Sequence, residues 1–401
     1  MQLTGKKITS ILLIALSVIG SLTLFFYWED GINQIFLIMS LCIFLVMALL
    51  NNAFSDRTFL IVLCVNAASL LITISYHKSM GVTLLFVNVL LACVLFNNMH
   101  LDKKTYLFIH LIPAVLWSVL AISSVRGAYP VPTGEIWHYK CFGIIFQKNT
   151  VGILALASIF HWICILEQLR IRRITKVLVA IPMFIFPIWK IIESGCRSAT
   201  IAVTAFCVLY LFLNRPIPYR YYYLIILGII VCSGLFTIYY VENIVELEFD
   251  DIMGGNPFNR LGTWKDAFSL IGRYPVFGSG TDMKMSGYDS AHNTVLSWLK
   301  TIGIVPLVTY AFILVKRRPL KQNGTYSRAA QIAVMAGLVI SFFESFYADS
   351  FFYLSFLLFL INPEENSYDT ESDPLLLVRE KAHAPQIQKI HKGLEGKMSR
   401  L

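Results

Sequence analysis

The feature that most limits this chain is a recurring apolar run, long enough each time to cross a bilayer and followed each time by a polar connection. A helix crossing the hydrocarbon core needs about 20 mostly apolar residues. About twelve runs fit, counted along the chain. The first five are Ser10–Tyr27, Gln34–Leu50, Phe59–Tyr76, Met80–Phe96 and Tyr106–Ser124. Four more are Thr150–Glu167, Ile174–Ile192, Ala199–Leu213 and Tyr221–Tyr240. The last three are Thr294–Val315, Ala329–Phe346 and the short Ser350–Ile361, which reads as tilted or partly re-entrant. Composition agrees with this pattern. Hydrophobic residues make up 57% of the chain and charged residues 14%, against roughly 25% charged in a soluble domain. That is too little charge to coat a globule in water. A soluble globule, a disordered chain, a collagen and a disulfide-rich secreted scaffold are all excluded. The expected fold class is an all-α polytopic membrane protein with about twelve transmembrane helices.

The net charge of +9 does not indicate nucleic-acid binding, because of where the cations sit. Lys6–Lys7, Arg57, Lys103–Lys104, Arg170 to Lys176, Arg215–Arg220 and Lys316 to Arg328 fall on alternating connections. The connections between them carry fewer basic residues for their length. Positive charge is retained on the cytoplasmic side, so both termini are expected there. The first run follows Lys6–Lys7 and reads as an uncleaved signal anchor. Two opposite connections are substantial: Val125–Lys148, and Val241–His292 at about fifty residues. The longer one opens acidic, turns through Gly254–Gly255–Asn256–Pro257 and then has helical character around Arg260–Leu270. Three regions follow: 1–148 with the first five helices, 149–361 with the remaining spans and the 241–292 loop, and a polar tail over 362–401, expected to be disordered in the cytoplasm.

Three ionisable residues gather on the outer side, where such a residue is a functional hypothesis by default. Arg197 opens a span within Glu193-Ser-Gly-Cys-Arg-Ser-Ala-Thr200. A guanidinium beside the free N–H groups of a helix start suits an anion, although an arginine there also snorkels to headgroups. Arg260 opens the loop helix in Asn259-Arg-Leu-Gly-Thr-Trp264, where a solvated surface charge is the plainer reading. His292 lies at the mouth of the tenth span, where a histidine can accept a proton as a general base, although an interface residue with no chemical role is the plainer reading. Lys300 lies two turns inside that span and calls for a partner, Glu344 or Glu193, in a structural ion pair. Asp349, at a short outer turn, is placed to orient a neighbour. His77, His110, His138 and His161 are scattered, and the cysteines show no metal-ligand spacing, so no metal and no cofactor is expected. Cys141 and Cys196 lie near segment ends, which leaves a disulfide between them open.

The stretch Arg260-x-x-x-Trp264-x-x-Ala267, Pro275-x-x-Gly278-x-Gly280, His292-Asn293, nine residues and Gly303 has a familiar order. Ser194-Gly-Cys-Arg197-Ser opens a span upstream of it, and Asn149-Thr-Val-Gly152 opens another. Together they resemble the O-antigen ligase and polymerase superfamily of bacterial inner membranes, over about Asn149 to Tyr310. The resemblance implies a polytopic, GT-C-like glycosyltransferase with one large periplasmic loop. The implied donor is a glycan on undecaprenyl diphosphate, and a ligase would pass it to lipid A–core among the membrane lipids. Carried over residue by residue, His292 would be the catalytic base and Arg197 and Arg260 the groups on the donor diphosphate. Asn293, Trp264 and Asn149 would support them. Two departures stand out: Pro306 occupies a position where the family has Gly, Thr or Tyr, and Cys196 precedes Arg197 where serine is common.

A polymerase would use the same donor and the same arginines, with a second lipid-linked repeat unit as acceptor. The histidine motif has the ligase form, and a single loop dominates where polymerases often have two. A flippase or other transporter also fits twelve spans with both ends inside. Against it, no repeat relates the two halves, and charge gathers at the outer face and not at the midplane.

Overall fold

Helix formation follows the apolar runs, because backbone groups in lipid must bond to one another. The computed structural model describes residues 2–23, 30–76, 81–96, 99–130, 136–169, 171–213, 217–243, 257–279, 293–309, 328–341, 358–359 and 361–363. Its first helices are α1 (Gln2–Leu22), α2 (Asp30–Leu50), α3 (Arg57–Tyr76), α4 (Gly81–Phe96) and α5 (Lys103–Ser123). The next four are α6 (Lys148–Gln168), α7 (Arg173–Ser194), α8 (Arg197–Phe212) and α9 (Tyr219–Asn243). Then come α10 (Pro257–Arg273), α11 (Thr294–Ile302), α12 (described over 304–309) and α13 (Arg328–Ile340). Four stretches are long and apolar enough to cross a membrane: Gly5–Leu22, Lys103–Ser123, Lys148–Gln168 and Ile174–Ser194. Gln34–Leu50, Arg57–Ile72, Val87–Phe96, Arg197–Phe212 and Arg328–Ile340 are shorter apolar helices.

α6 is the hub, with α5, α7, α8 and α13 packed against it. Its apolar stretch is 89% buried, whereas the equally apolar stretch of α7 is 22% buried. The exposed side of α7 carries Ile174, Leu178, Ile181, Ile185, Trp189 and Ile192, a helical stripe facing lipid. Small residues bring the inner helices close: Ala329, Ala333 and Gly337 lie one turn apart along α13, and Ala199 and Ala202 are buried on α8. Close approach through small side chains is how helices gain contact in lipid, where the hydrophobic effect does not drive them together.

Polar ties then fix the packing. Ser17 on α1 donates to the Ile109 carbonyl at 2.8 Å, and Asn88 on α4 donates to that of Leu37 on α2 at 3.0 Å. His110 and His161, distant in sequence, meet between α5 and α6 with their Nδ1 atoms 2.8 Å apart, so one ring donates and the other accepts. At one end of the bundle, Glu167 of α6 accepts from the Ala329 backbone at 3.1 Å. Arg328 donates to the Tyr210 carbonyl and lies 4.0 Å over that ring, and Gln331 exchanges two hydrogen bonds with the Ile217 backbone.

Two features correct the all-α, unbroken-span expectation. The connection after α5 folds into an antiparallel sheet of β2 (Val125–Pro130), β3 (Ile136–Cys141) and β4 (Ile144–Phe146), in the order β2-β3-β4. These segments are rich in aromatic and β-branched residues, which favour strands. β3 and β4 are joined through Phe142 and Gly143, at φ 48° and 84°, the two left-handed residues of a tight hairpin. Glycine adopts that backbone freely, but for phenylalanine it costs about 1–2 kcal/mol. A second, two-residue pairing is parallel, between β1 (His100–Leu101) and β5 (Asn362–Pro363). The other correction is to the span expected over Thr294–Val315. It breaks at Gly303, whose φ of 76° and ψ of −174° leave the helical region.

The stripe on α13 makes a stability prediction. Ala333→Leu should lower stability by about 1–3 kcal/mol through overpacking. Leu211→Ala, on an exposed part of α8, should stay within about 0.5 kcal/mol. Thermal unfolding in one detergent would compare them.

Candidate functional site

The C-terminal end of α7 shows how the chain presents Arg197. Gly195, at φ 63°, caps α7 in the left-handed region, and the chain turns straight into α8. Ser194 Oγ accepts from the Cys196 N–H at 3.2 Å and donates to the Ile191 carbonyl at 2.8 Å. Cys196 is the N-cap of α8, and Arg197 is its first residue, with an exposed side chain. A methyl group on Gly152 would lie 2.4 Å from Cys196 Cβ and 3.0 Å from Ser194 Oγ. The start of α6 therefore sits directly on this elbow. Asn149, in the first turn of α6, is half-buried near the same junction. Two motifs separated in sequence thus form one packed corner.

A buried lysine holds the corner to the sheet. Lys190, 2% exposed, donates to Glu193 Oε2 and to the Ser124 carbonyl, each at 2.7 Å. Its ammonium lies 5.3 Å from the Tyr139 ring centre and 5.2 Å from that of Trp189, within cation–π range. Tyr139 donates to the Glu193 carbonyl at 3.1 Å. Burial, and then the Glu193 carboxylate, push the Tyr139 hydroxyl above its ordinary pKa, against the opposing effect of Arg126. Burial likewise raises the Cys141 thiol, with Lys190 opposing. Cys141 and Cys196 are both free thiols, so the open disulfide is answered. Glu193 forms its ion pair with Lys190, not with Lys300.

The second half of the site is built from α10 and α11. Trp264 and Ala267 of α10 bury against Leu296 of α11, with Phe268, Leu270 and Ile271 around them. Arg260 lies in the first turn of α10, one turn before Trp264. Asn293 is the N-cap of α11, its Oδ1 accepting from the Leu296 N–H at 3.1 Å. His292, Glu344 and Asp349 lie outside the described residues. His292 nonetheless precedes a fixed point: Thr294 donates its N–H to the Ser341 carbonyl at the end of α13, at 2.9 Å.

The motif glycines clasp α10 to α11. Gly278 is at φ 74° and Gly303 at φ 76°, and a methyl on either would come within 2.4 Å of backbone atoms across the contact. Ser279 donates through N–H and hydroxyl to the Lys300 carbonyl at 2.6 and 3.1 Å. Ile304 donates to the Pro275 carbonyl at 2.8 Å, and Val305 to that of Val276 at 3.2 Å. The carbonyls and N–H groups freed by the break at Gly303 are thereby satisfied by the loop.

These pieces open at a common end. α13 meets α8 at Arg328 and Tyr210 and packs against it. The 13 residues of α13 and the 16 of α8 rise about 20 and 24 Å. The Ser341 end of α13 therefore lies toward the Arg197 end of α8, and Ser341 holds the α11 start. The structure joins Trp264 to the helix of Asn293, and the Asn149 turn to the elbow of Arg197. Among the described residues, no three His, Cys, Asp or Glu side chains form a metal-holding group. Sequence reasoning missed Lys190, although a lysine inside an apolar run was itself the signal.

Residues 182–311 match the family model described as O-antigen ligase. The match starts within α7 and ends two residues past the described part of α12, taking in the elbow, α10 and α11. No curated protein and no solved structure matches the chain.

Two outcomes test this geometry. Gly303→Ala should destabilise the protein by about 1–3 kcal/mol, while Gly272→Ala, with open space around it, should stabilise α10 by up to about 1 kcal/mol. Lys190→Met should cost about 1–3 kcal/mol by leaving Glu193 and the Ser124 carbonyl without their donor, with Lys190→Arg milder. Unfolding midpoints in detergent measure both comparisons.

Proposed function

We propose that the O-antigen ligase match over residues 182–311 marks an inner-membrane glycosyltransferase that moves a glycan from undecaprenyl diphosphate to lipid A–core. The family match implies a glycan-transferring enzyme acting on lipid-linked glycans, and the candidate spans make the chain a membrane protein. The observation that carries the finer reading is the Thr294–Ser341 bond together with α13 packing on α8. It turns the starts of α8 and α11, the two helices that follow Arg197's elbow and His292, toward the same end of the bundle.

In this reading Arg197 and Arg260 bind the donor diphosphate through charge-assisted hydrogen bonds. They also stabilise the negative charge that grows on it as it leaves, so no metal ion is required. His292 accepts the proton of the acceptor hydroxyl while that oxygen attacks the anomeric carbon. The new C–O bond forms as the bond to the diphosphate breaks. Undecaprenyl diphosphate leaves, and the anomeric configuration inverts. About twelve spans, with both termini in the cytoplasm, put this end of the bundle in the periplasm. One observation favours ligase over polymerase. The 125–148 connection, which a polymerase would use as a second arginine-rich loop, folds largely into the β2–β4 sheet and carries a single arginine, Arg126.

Deleting the gene and examining extracted lipopolysaccharide tests the reading. Full-length polymer left on its lipid carrier, with lipid A–core bare, is the expected result. A single repeat unit on lipid A–core would instead identify a polymerase. His292→Ala and Arg197→Ala should each leave the protein inserted and abundant while abolishing product, and wild-type product from either would remove the proposed mechanism.

A further inference from the structure

We propose that the β2–β4 sheet is a membrane-surface anchor, with Phe142 seated at the headgroup–acyl boundary and Lys140 on the phosphates of anionic phospholipids. The sheet lies where three candidate spans end together. β2 starts two residues after α5, β4 ends two residues before α6, and Lys190 in the last turns of α7 is bonded to Ser124 between α5 and β2. Register fixes which end of the sheet is near the bilayer. Val125 pairs with Lys140, so the Phe142–Gly143 turn lies beside the end of α5. The opposite end, where Pro130 pairs with Ile136, points away.

The two faces differ in character. Tyr139, Cys141 and Phe146 are buried toward the helices. Ile136, His138 and Lys140 alternate with them along β3, and these three and Val125 are exposed. Lys140 lies 6.0 Å over the Tyr129 ring, and Lys148 is exposed at the start of α6. None of the three strands contains Asp or Glu. At the bilayer end of that face Val125, Lys140 and Lys148 set an aliphatic group beside two cations, which complements an anionic lipid surface.

Phe142 makes the argument specific. It is 67% exposed and has a positive φ, in a turn where glycine or asparagine would fit without strain. In water the exposed ring returns nothing for that strain. At a bilayer interface it gains the environment aromatic side chains prefer. The surface is also continuous with lipid-facing protein. The exposed stripe of α7 runs through Ile185 to Trp189 and Ile192, next to the Lys190–Ser124 bond from which Val125 departs.

The test uses the full chain with the photoreactive residue p-benzoylphenylalanine at position 142. The protein is placed in nanodiscs of phosphatidylethanolamine and phosphatidylglycerol, irradiated, and analysed by mass spectrometry of the labelled peptide. A phospholipid adduct is expected, with phosphatidylglycerol enriched about twofold or more over its share of the bilayer. Lys140→Glu should return the adducts to the bulk ratio. Adducts only to protein, from this chain or a second copy, would overturn the proposal, as would no adduct at all. Equal ratios with and without Lys140→Glu would overturn the phosphate contact. Phe142→Gly gives a second readout that survives poor labelling. It should unfold no earlier than wild type in detergent, yet gain less thermal stability on transfer to nanodiscs. An undiminished gain would overturn the anchor.

Discussion

A helix buried nearly all round must receive its neighbours at short range, and α6 does this near its N-terminal end through the bare backbone of Gly152. Cys196 occupies the space a side chain would fill there. The contact sets where α7 ends and α8 begins, and therefore where Arg197 emerges. Everything toward the other end follows from the same close packing. α13 can lie along α8 because its facing residues are small, and Glu167 of α6 then reaches the Ala329 N–H in the first turn of α13. The position of α11 comes last, since it hangs from Ser341 at the end of α13. The elbow and the start of α11 are thus two ends of one chain of contacts.

Breaks in the helices appear where backbone groups find other partners. Interrupting a helix near a bilayer exposes carbonyls and N–H groups that lipid cannot satisfy. At Gly303 the loop following α10 supplies them, with Ser279, Pro275 and Val276 taking the places of helical partners. This explains why two glycines far apart in sequence belong to one motif. Each removes a side chain that would hold the other strand of the clasp away. The result is a short α11, anchored at Asn293 by its cap and at Ile302 by the clasp, with little freedom to tilt between.

Most of the helix pattern was legible in the sequence, because hydropathy runs and helix formation in lipid have one cause. Arg57–Tyr76 and Lys148–Gln168 lie within a few residues of their expected bounds. Hydropathy could not say which helix is central, since α6 and α7 share one value and differ fourfold in burial. Nor could it see Gly303, where a backbone angle and not polarity ends the helix. The sheet escaped notice because its strands are short and one face is apolar, which blurs into the flanking spans. His110 and His161 read as scattered because only the α5–α6 register brings them together. The order of the site motifs was legible, while the reason for their spacing lay in contacts between residues far apart in the chain.

Lys190 shows why a costly group can persist in such a corner. A buried ion pair often contributes little net stability, since desolvation offsets the attraction. An apolar side chain at this position would fill the volume equally well. It could not, however, bond Ser124 and Glu193 together while facing the Tyr139 ring. Those contacts join α5, the sheet and the last turn of α7 at a single atom, Nζ. The cation also lies near the C-terminal end of α7, where the helix dipole favours positive charge. The directionality of these bonds, more than their strength, fixes the angle at which the chain leaves α7. That angle is inherited by Arg197 on the far side of a single left-handed glycine.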